Sequence, residues 1–273
     1  TRNGNRAWLG VNDIGERLGI AVLKNFPITV QPAEIVKITF IILLARQLAL
    51  LQEKKDLTCF SNVIQPTAHV AFMFAFYYVI SKDAGSGLVY LFVFLCMAFA
   101  AGFALRWFAL LFGASGAVIG GIIAFDLVPD SKKYMLNRFI VLFDHSYDVQ
   151  HTGWQQTRSL LTIGGGGFWG QGYLHGTQTQ AGAGSVPARH TDLIFAVIGE
   201  ELGFVGACAV VLLFVLLLWR GITIAAHAPD RFGALLVVGF TVQVALQAVL
   251  NVAVVTNTIP NTCISLPFFS SGG

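Results

Sequence analysis

Residues 210 to 218 read Val210-Val211-Leu212-Leu213-Phe214-Val215-Leu216-Leu217-Leu218, nine apolar side chains without interruption. A strand of a membrane barrel alternates between lipid-facing and lumen-facing positions, so a continuous run argues against a barrel; a helix in lipid can be apolar on every face. The apolar block around this run extends from Leu193 to Trp219. Five others precede or follow it: Ala33 to Leu51, Val63 to Ile80, Gly85 to Gly102, Trp107 to Val128 and Phe232 to Val255. Each is close to the ~20 residues that carry a helix across the hydrocarbon core. Backbone groups in lipid must be satisfied within their own segment, so each block is read as a helix. The expected fold is all-α: a polytopic membrane helical bundle of six spans, forming one integral membrane domain over residues 1–273.

Composition agrees. The chain is 55% hydrophobic and 11% charged, against roughly a quarter charged in ordinary soluble domains. Its net charge of +3 is modest and the bases are scattered rather than interleaved with aromatics, which gives no footprint for nucleic acid. The bases instead mark topology. Arg46, Lys54 and Lys55 follow the first block, Arg106 lies between the third and fourth, and Arg220 and Arg231 bracket the turn between the fifth and sixth; the short loop on the other side holds only Lys82. By the positive-inside rule the basic side is cytoplasmic.

Thr1 to Asn25 is polar and contains glycine, unlike the basic start and apolar core of a cleavable signal. At the other end Ser271-Gly272-Gly273 arrives with no charged cap after the last apolar block. The expectation is a piece of a longer protein with spans missing at both ends. Cys59, Cys96, Cys208 and Cys263 show neither CxxC nor His/Cys ligand spacing, so no zinc site or disulfide framework is indicated.

The longest interruption, Pro129 to Thr191, is polar and glycine-rich, and the charge pattern puts it outside the cell. Structureless loops of this length are uncommon unless functional. Trp154 and Trp169 have interfacial character, and Thr157 to Ile163 is expected to form a short helix lying on the membrane. Gly164 to Gly167, followed by Gly170 and Gly172, reads either as a tight turn or as backbone built for close approach to a polar ligand or another helix. No GK[ST] follows, so it is not a phosphate-binding Walker loop.

Asp192 stands where this loop enters the fifth block, as a helix-start acid or as a functional group. Glu200 and Glu201 follow within the span; Glu200 shares the broad face of Asp192, and Glu201 is rotated ~100° away and reads as the structural one. Glu34 and Lys37 are opposite charges at i and i+3, a spacing that lets them pair, or else they snorkel separately to an interface. Asp83 is a helix cap or a site acid, and Arg138 and Arg158 are either guanidiniums that fork onto phosphate or carboxylate or solvated loop charges.

Together these residues resemble the shape, elongation, division and sporulation family, the FtsW, RodA and SpoVE group. The resemblance rests on an ordered set: Asn3-Gly4 with Arg6 and Trp8; Gln31-Pro32-Ala33-Glu34 with Lys37; Asp83 with Gly85; Arg138; Gln155 with Ser159 and Leu160; and the glycine run. It continues through His190-Thr191-Asp192, Gly199-Glu200-Glu201-Leu202-Gly203, Gln247 with Asn251, and Leu266-Pro267-Phe268-Phe269-Ser270-Ser271-Gly272-Gly273.

The resemblance implies a ten-helix protein of the bacterial cytoplasmic membrane, of which this chain lacks about three spans at its start and one at its end. The implied activity is a peptidoglycan glycosyltransferase that polymerises lipid II on the outer face, beside a class B penicillin-binding protein. Asp192 falls on the family's essential aspartate. Arg6, Glu34, Lys37, Asp83, Arg138, Gln155 and Glu200 are the implied substrate-binding set, to which Arg158 is added on its guanidinium chemistry alone.

Three motifs depart from the family pattern. Lys82-Asp83-Ala84-Gly85 replaces Pro-Asp-Leu-Gly, Ala33 replaces a serine, and Val186-Pro187-Ala188 replaces Leu-Pro-Glu, which removes a second loop carboxylate. No protein metal cage is visible, so any Mg²⁺ or Mn²⁺ is expected to be held largely through substrate phosphates. The rival readings are a flippase for the same lipid and a non-catalytic scaffold for the transpeptidase.

Overall fold

The computed structural model describes residues 9–10, 29–30, 32–54, 60–81, 84–124, 152–180, 191–260 and 264–270. Of the candidate site residues, Arg6, Asp83 and Arg138 lie outside that set, as does the side chain of Glu34; so does most of the loop Pro129 to Thr191. A two-residue strand β1 (Leu9–Gly10) pairs antiparallel with β2 (Thr29–Val30), a detail with no signal in the sequence. Among the described residues everything else regular is helix: α1 (Pro32–Lys54), α2 (Phe60–Ser81), α3 (Ala84–Ala100), α4 (Leu105–Ala124), α5 (Thr152–Gly166), α6 (Ile194–Ala226) and α7 (Arg231–Val255).

Each of the six apolar blocks coincides with a helix over its described residues; residues 125–128, the end of the fourth block, lie outside them. Among the described residues, Ile35–Glu53, Ile194–Ala226 and Arg231–Val255 are long and apolar enough to cross a membrane, and Gly87–Ala100 is a shorter apolar helix. Two expectations are corrected. The fifth block does not stop at Trp219, because Gly221 to Ala226 continue the helix without a breaker. The short helix expected at Thr157–Ile163 runs from Thr152 to Gly166 and packs on α6 and α7, with Gln156, Ser159 and Thr162 buried.

The core sits where α1, α3 and α7 meet. Phe40, Ile41, Leu44 and Leu48 of α1 pack with Tyr90, Val93 and Met97 of α3 and Leu235 of α7. Gly239 on α7 makes this crossing possible, since a Cβ there would meet Ile41 and Met97. Small residues let helices approach in lipid, where hydrophobic exclusion adds little to their association. α6 turns back into α7 over His227 to Asp230, and the Asp230 carboxylate caps α7 by accepting from the Gly233 amide at 2.9 Å.

Two long-range bonds orient the bundle. Gln52, near the end of α1, donates to the Ala101 carbonyl beyond α3 at 2.7 Å, and Arg231 at the start of α7 donates to the Gln52 carbonyl at 3.1 Å. The helix ends carrying Lys54, Arg106 and Arg231 therefore gather at one end, with Arg220 inside α6 nearly two turns before that helix finishes. The start of α6 and the finish of α7 lie at the opposite end.

Candidate functional site

That opposite end is assembled around Asn251. Its side-chain amide donates to the Asp192 carbonyl at 2.7 Å and to the Ile264 carbonyl at 2.8 Å, tying the entrance of α6 to the segment beyond α7. One turn on, the Ser159 hydroxyl of α5 donates to the Val255 carbonyl at 2.7 Å. Polar side chains at these depths are what hold α5, α6 and α7 in register. Asp192 sits in the turn before α6, half-buried, and Leu193 takes the N-cap position without a side-chain cap.

Further along, α6 is broken. Gly203 has φ 69° and ψ −168°, a backbone region open essentially to glycine alone. A break frees backbone donors and acceptors that cannot stay unpaired in an apolar setting. The glycine-rich loop takes them up from both sides. The Gln171 amide donates to the Glu200 carbonyl at 2.9 Å and Gly172 to the Glu201 carbonyl at 3.0 Å; the Phe204 amide donates to Gly167 at 3.0 Å and Val205 to Phe168 at 3.3 Å. Gly167, Gly170 and Gly172 all have positive φ, which folds the loop tightly enough to reach.

Of the two meanings open for the glycine run, the structure therefore displays close approach to another helix. A Cβ on Gly166 would strike the Gly199 carbonyl, and one on Gly170 the Glu201 carbonyl. Gly164 to Gly166 are themselves helical, and the turn starts only at Gly167.

Glu200 is fully buried, and its carboxylate holds the far side of the loop. One oxygen accepts from the Gln178 amide at 2.7 Å and the Thr177 hydroxyl at 3.3 Å; the other accepts from the Thr179 amide at 3.0 Å. Sequence reasoning gave the structural part to Glu201, yet the loop's carboxylate anchor is Glu200. Which of two adjacent acids meets a loop more than 20 residues away is set by where the loop packs on α6, and no spacing on the helix signals it.

The anchored turn presents Gln178, whose side-chain oxygen accepts from Arg158 at 3.0 Å. The Arg158 guanidinium also lies over the Trp154 ring, 5.6 Å from its centroid. Gln155 is half-buried on the same helix. Lys37 is buried on α1, in the first turns of that helix. Among the described residues no three His, Cys, Asp or Glu side chains stand together as a metal-binding group.

Comparison with known proteins adds context to this geometry. The family model described as cell cycle protein, covering FtsW, RodA and SpoVE, matches residues 13–273. Stage V sporulation protein E of Bacillus subtilis (strain 168) is 34% identical over 274 residues, covering 100% of this chain and 68% of the relative. The probable peptidoglycan glycosyltransferase FtsW of Geobacter sp. (strain M18) is 34% identical over 243 residues, covering 89% of this chain and 63% of the relative. Among solved structures, a chain of a peptidoglycan synthase complex that coordinates polymerization and crosslinking superposes with a TM-score of 0.74 at 26% identity, over 99% of this chain and 68% of that one. The rod shape determining protein RodA of Thermus thermophilus shares the fold, with a TM-score of 0.55 at 23% identity over 99% of this chain and 64% of that one.

Proposed function

This chain belongs to the FtsW, RodA and SpoVE family of cell cycle proteins, an integral membrane family, and on that premise we propose that the whole protein is a peptidoglycan glycosyltransferase polymerising lipid II. The chain spans 63% to 68% of the length of the first curated relatives it matches. The observation that carries the proposal is Asp192: a half-buried acid at the mouth of α6, fixed in place through its own carbonyl, at the end of the bundle opposite the basic loops.

In the proposed reaction a sugar hydroxyl attacks an anomeric carbon bearing a lipid diphosphate. Asp192 takes the hydroxyl proton as the new glycosidic bond forms, and the diphosphate leaves with the electron pair of the broken C–O bond. A single displacement inverts the anomeric centre and needs no covalent enzyme intermediate. Arg158, aimed by Gln178 and Trp154, supplies positive charge to the leaving group. Arg6, Glu34, Lys37, Asp83, Arg138 and Gln155 are proposed to bind the rest of the substrate, with Glu34 and Lys37 as a charge pair. Glu200 acts at one remove, by holding the loop that carries Gln178. The active face is extracytoplasmic, the membrane is the bacterial cytoplasmic one, and a class B penicillin-binding protein is the partner.

A flippase is the rival reading, because broken helices serve alternating access in transporters. The break in α6 argues less for that here, since its freed amides and carbonyls are bound by the loop. Purified full-length protein with lipid II in proteoliposomes separates the readings. Glycan polymer supports the enzyme; movement of lipid II without polymer supports a flippase; neither supports a scaffold.

A further inference from the structure

The glycine-rich loop carries an outward apolar surface that closing the break in α6 does not require. Trp169 is 79% exposed and Tyr173 73%, with Phe168, Leu174 and Phe204 also largely exposed. Phe168, Trp169 and Phe204 form one patch, with the Phe168 ring 5.4 Å from Trp169 and 5.8 Å from Phe204; Tyr173 and Leu174 follow on the same short loop. Leu174 is held outward with φ 61°, a backbone position that a turn in water fills with glycine or asparagine. A tryptophan, a tyrosine and a strained leucine together point to an apolar medium with a polar edge.

The position of the patch along α6 identifies that medium. Between Glu201 and Arg220 the helix carries no Asp, Glu, Lys or Arg. Beyond the break, the unbroken helix from Phe204 to Trp219 alone rises about 24 Å, most of the ~30 Å of hydrocarbon in a bilayer. Its side chains, including Leu212, Leu213, Val215 and Leu216, are turned outward as those of a lipid-facing span are. Exposed Trp219 marks the Arg220 end, and the loop patch marks the Glu201 end. Two aromatic groups at the two ends of a charge-free span are the signature of the two headgroup interfaces.

We propose that residues 168–174 form a membrane anchor that beds into the lipid headgroup interface on the Asp192 side, continuous with the lipid-facing surface of α6. The anchor fixes the depth of the glycine loop, and through Gln171 and Gly172 the depth of the break that the loop closes. The inference stands on exposure and spacing and is independent of the proposed chemistry.

The test uses full-length protein in phosphatidylglycerol and phosphatidylethanolamine nanodiscs, with lipids brominated either near the carbonyl end of the chain or near its terminal methyl. Trp169→Phe keeps a ring while removing one fluorophore, so the wild-type minus variant difference reports Trp169. The expected result is a blue-shifted difference signal, quenched at least twofold by bromine near the carbonyl end and less by bromine near the methyl. As a second measurement, Tyr173→Cys carrying a spin label should be more accessible to oxygen than to a water-soluble nickel relaxant. A Trp169 signal unquenched by either lipid, with a water-accessible label at 173, overturns the proposal. A signal shielded from lipid, oxygen and nickel alike also overturns it, in favour of a protein partner or another segment covering the patch.

Discussion

Gly170 and Gly203 lie backbone against backbone: a Cβ on Gly203 would strike the Gly170 nitrogen, and a Cβ on Gly170 would come within 2.7 Å of the Gly203 nitrogen. Neither position has room for a side chain, and both need positive φ. The loop and the broken helix are therefore a single unit, and the acids on α6 owe their placement to it.

Gly203→Ala tests this unit. Backbone strain alone costs about 1–3 kcal/mol, and the collision with the loop adds to it. The variant should lose thermal stability in detergent and lose loop protection from protease. Gly116→Ala is the matched control, since its Cβ would meet nothing within 4 Å on α4. There the helix gains up to about 1 kcal/mol from alanine's propensity, and melting should hold or rise.

Removing the Glu200 carboxylate should release the loop from the other side. Glu200→Ala leaves the amides of Gln178 and Thr179 without their acceptor, at about 1–3 kcal/mol for each donor left buried and unpaired. Hydrogen exchange at 177–179 should rise well above that of α7 in the same sample. Glu200→Gln should recover part of the protection, because one carbonyl oxygen remains to accept.

Asn251 should behave as a clamp rather than as a ligand group. Asn251→Asp replaces the donating nitrogen with an oxygen that faces two carbonyls, so it should destabilise more than Asn251→Ala, which costs about 1–3 kcal/mol. Melting temperatures of the two variants check the order.

Topology is tested by impermeant thiol labelling of spheroplasts. Gln180→Cys should react from outside and native Cys59 should not. Gln180 is the better probe than Gln171, whose side chain bonds the Gly165 carbonyl and the Thr177 amide within the loop. The reverse pattern would overturn the orientation.

The helices were legible because apolar length is a strong signal, and the gathering of Lys54, Arg106 and Arg231 at one end follows from short loops joining antiparallel helices. Asp192 at a helix mouth was legible for the same reason: the apolar block visibly starts at Leu193. The break at Gly203 was not. A glycine inside an apolar block is tolerated in many membrane helices, and only a partner loop decides whether the backbone turns there. The same gap hid the role of Glu200, whose partners at 177–179 are brought near by the loop rather than by any spacing on the helix. Asn251 was visible only through the resemblance, since one buried amide in an apolar helix has no spacing signature of its own.

The central claim is that Asp192 is the general base, and Asp192→Asn examines it most directly. The amide keeps the shape and cannot accept the proton near neutral pH, and loss of a general base costs about 10²- to 10⁴-fold in rate. Asp192 engages Asn251 through its main-chain carbonyl, so that link to α7 survives the substitution. The measurement is lipid II polymerisation by the full-length variant, with melting temperature and partner binding recorded on the same preparation. The account predicts a folded, partner-binding protein whose polymer falls to near background. A folded Asp192→Asn protein that polymerises at close to the wild-type rate would contradict it.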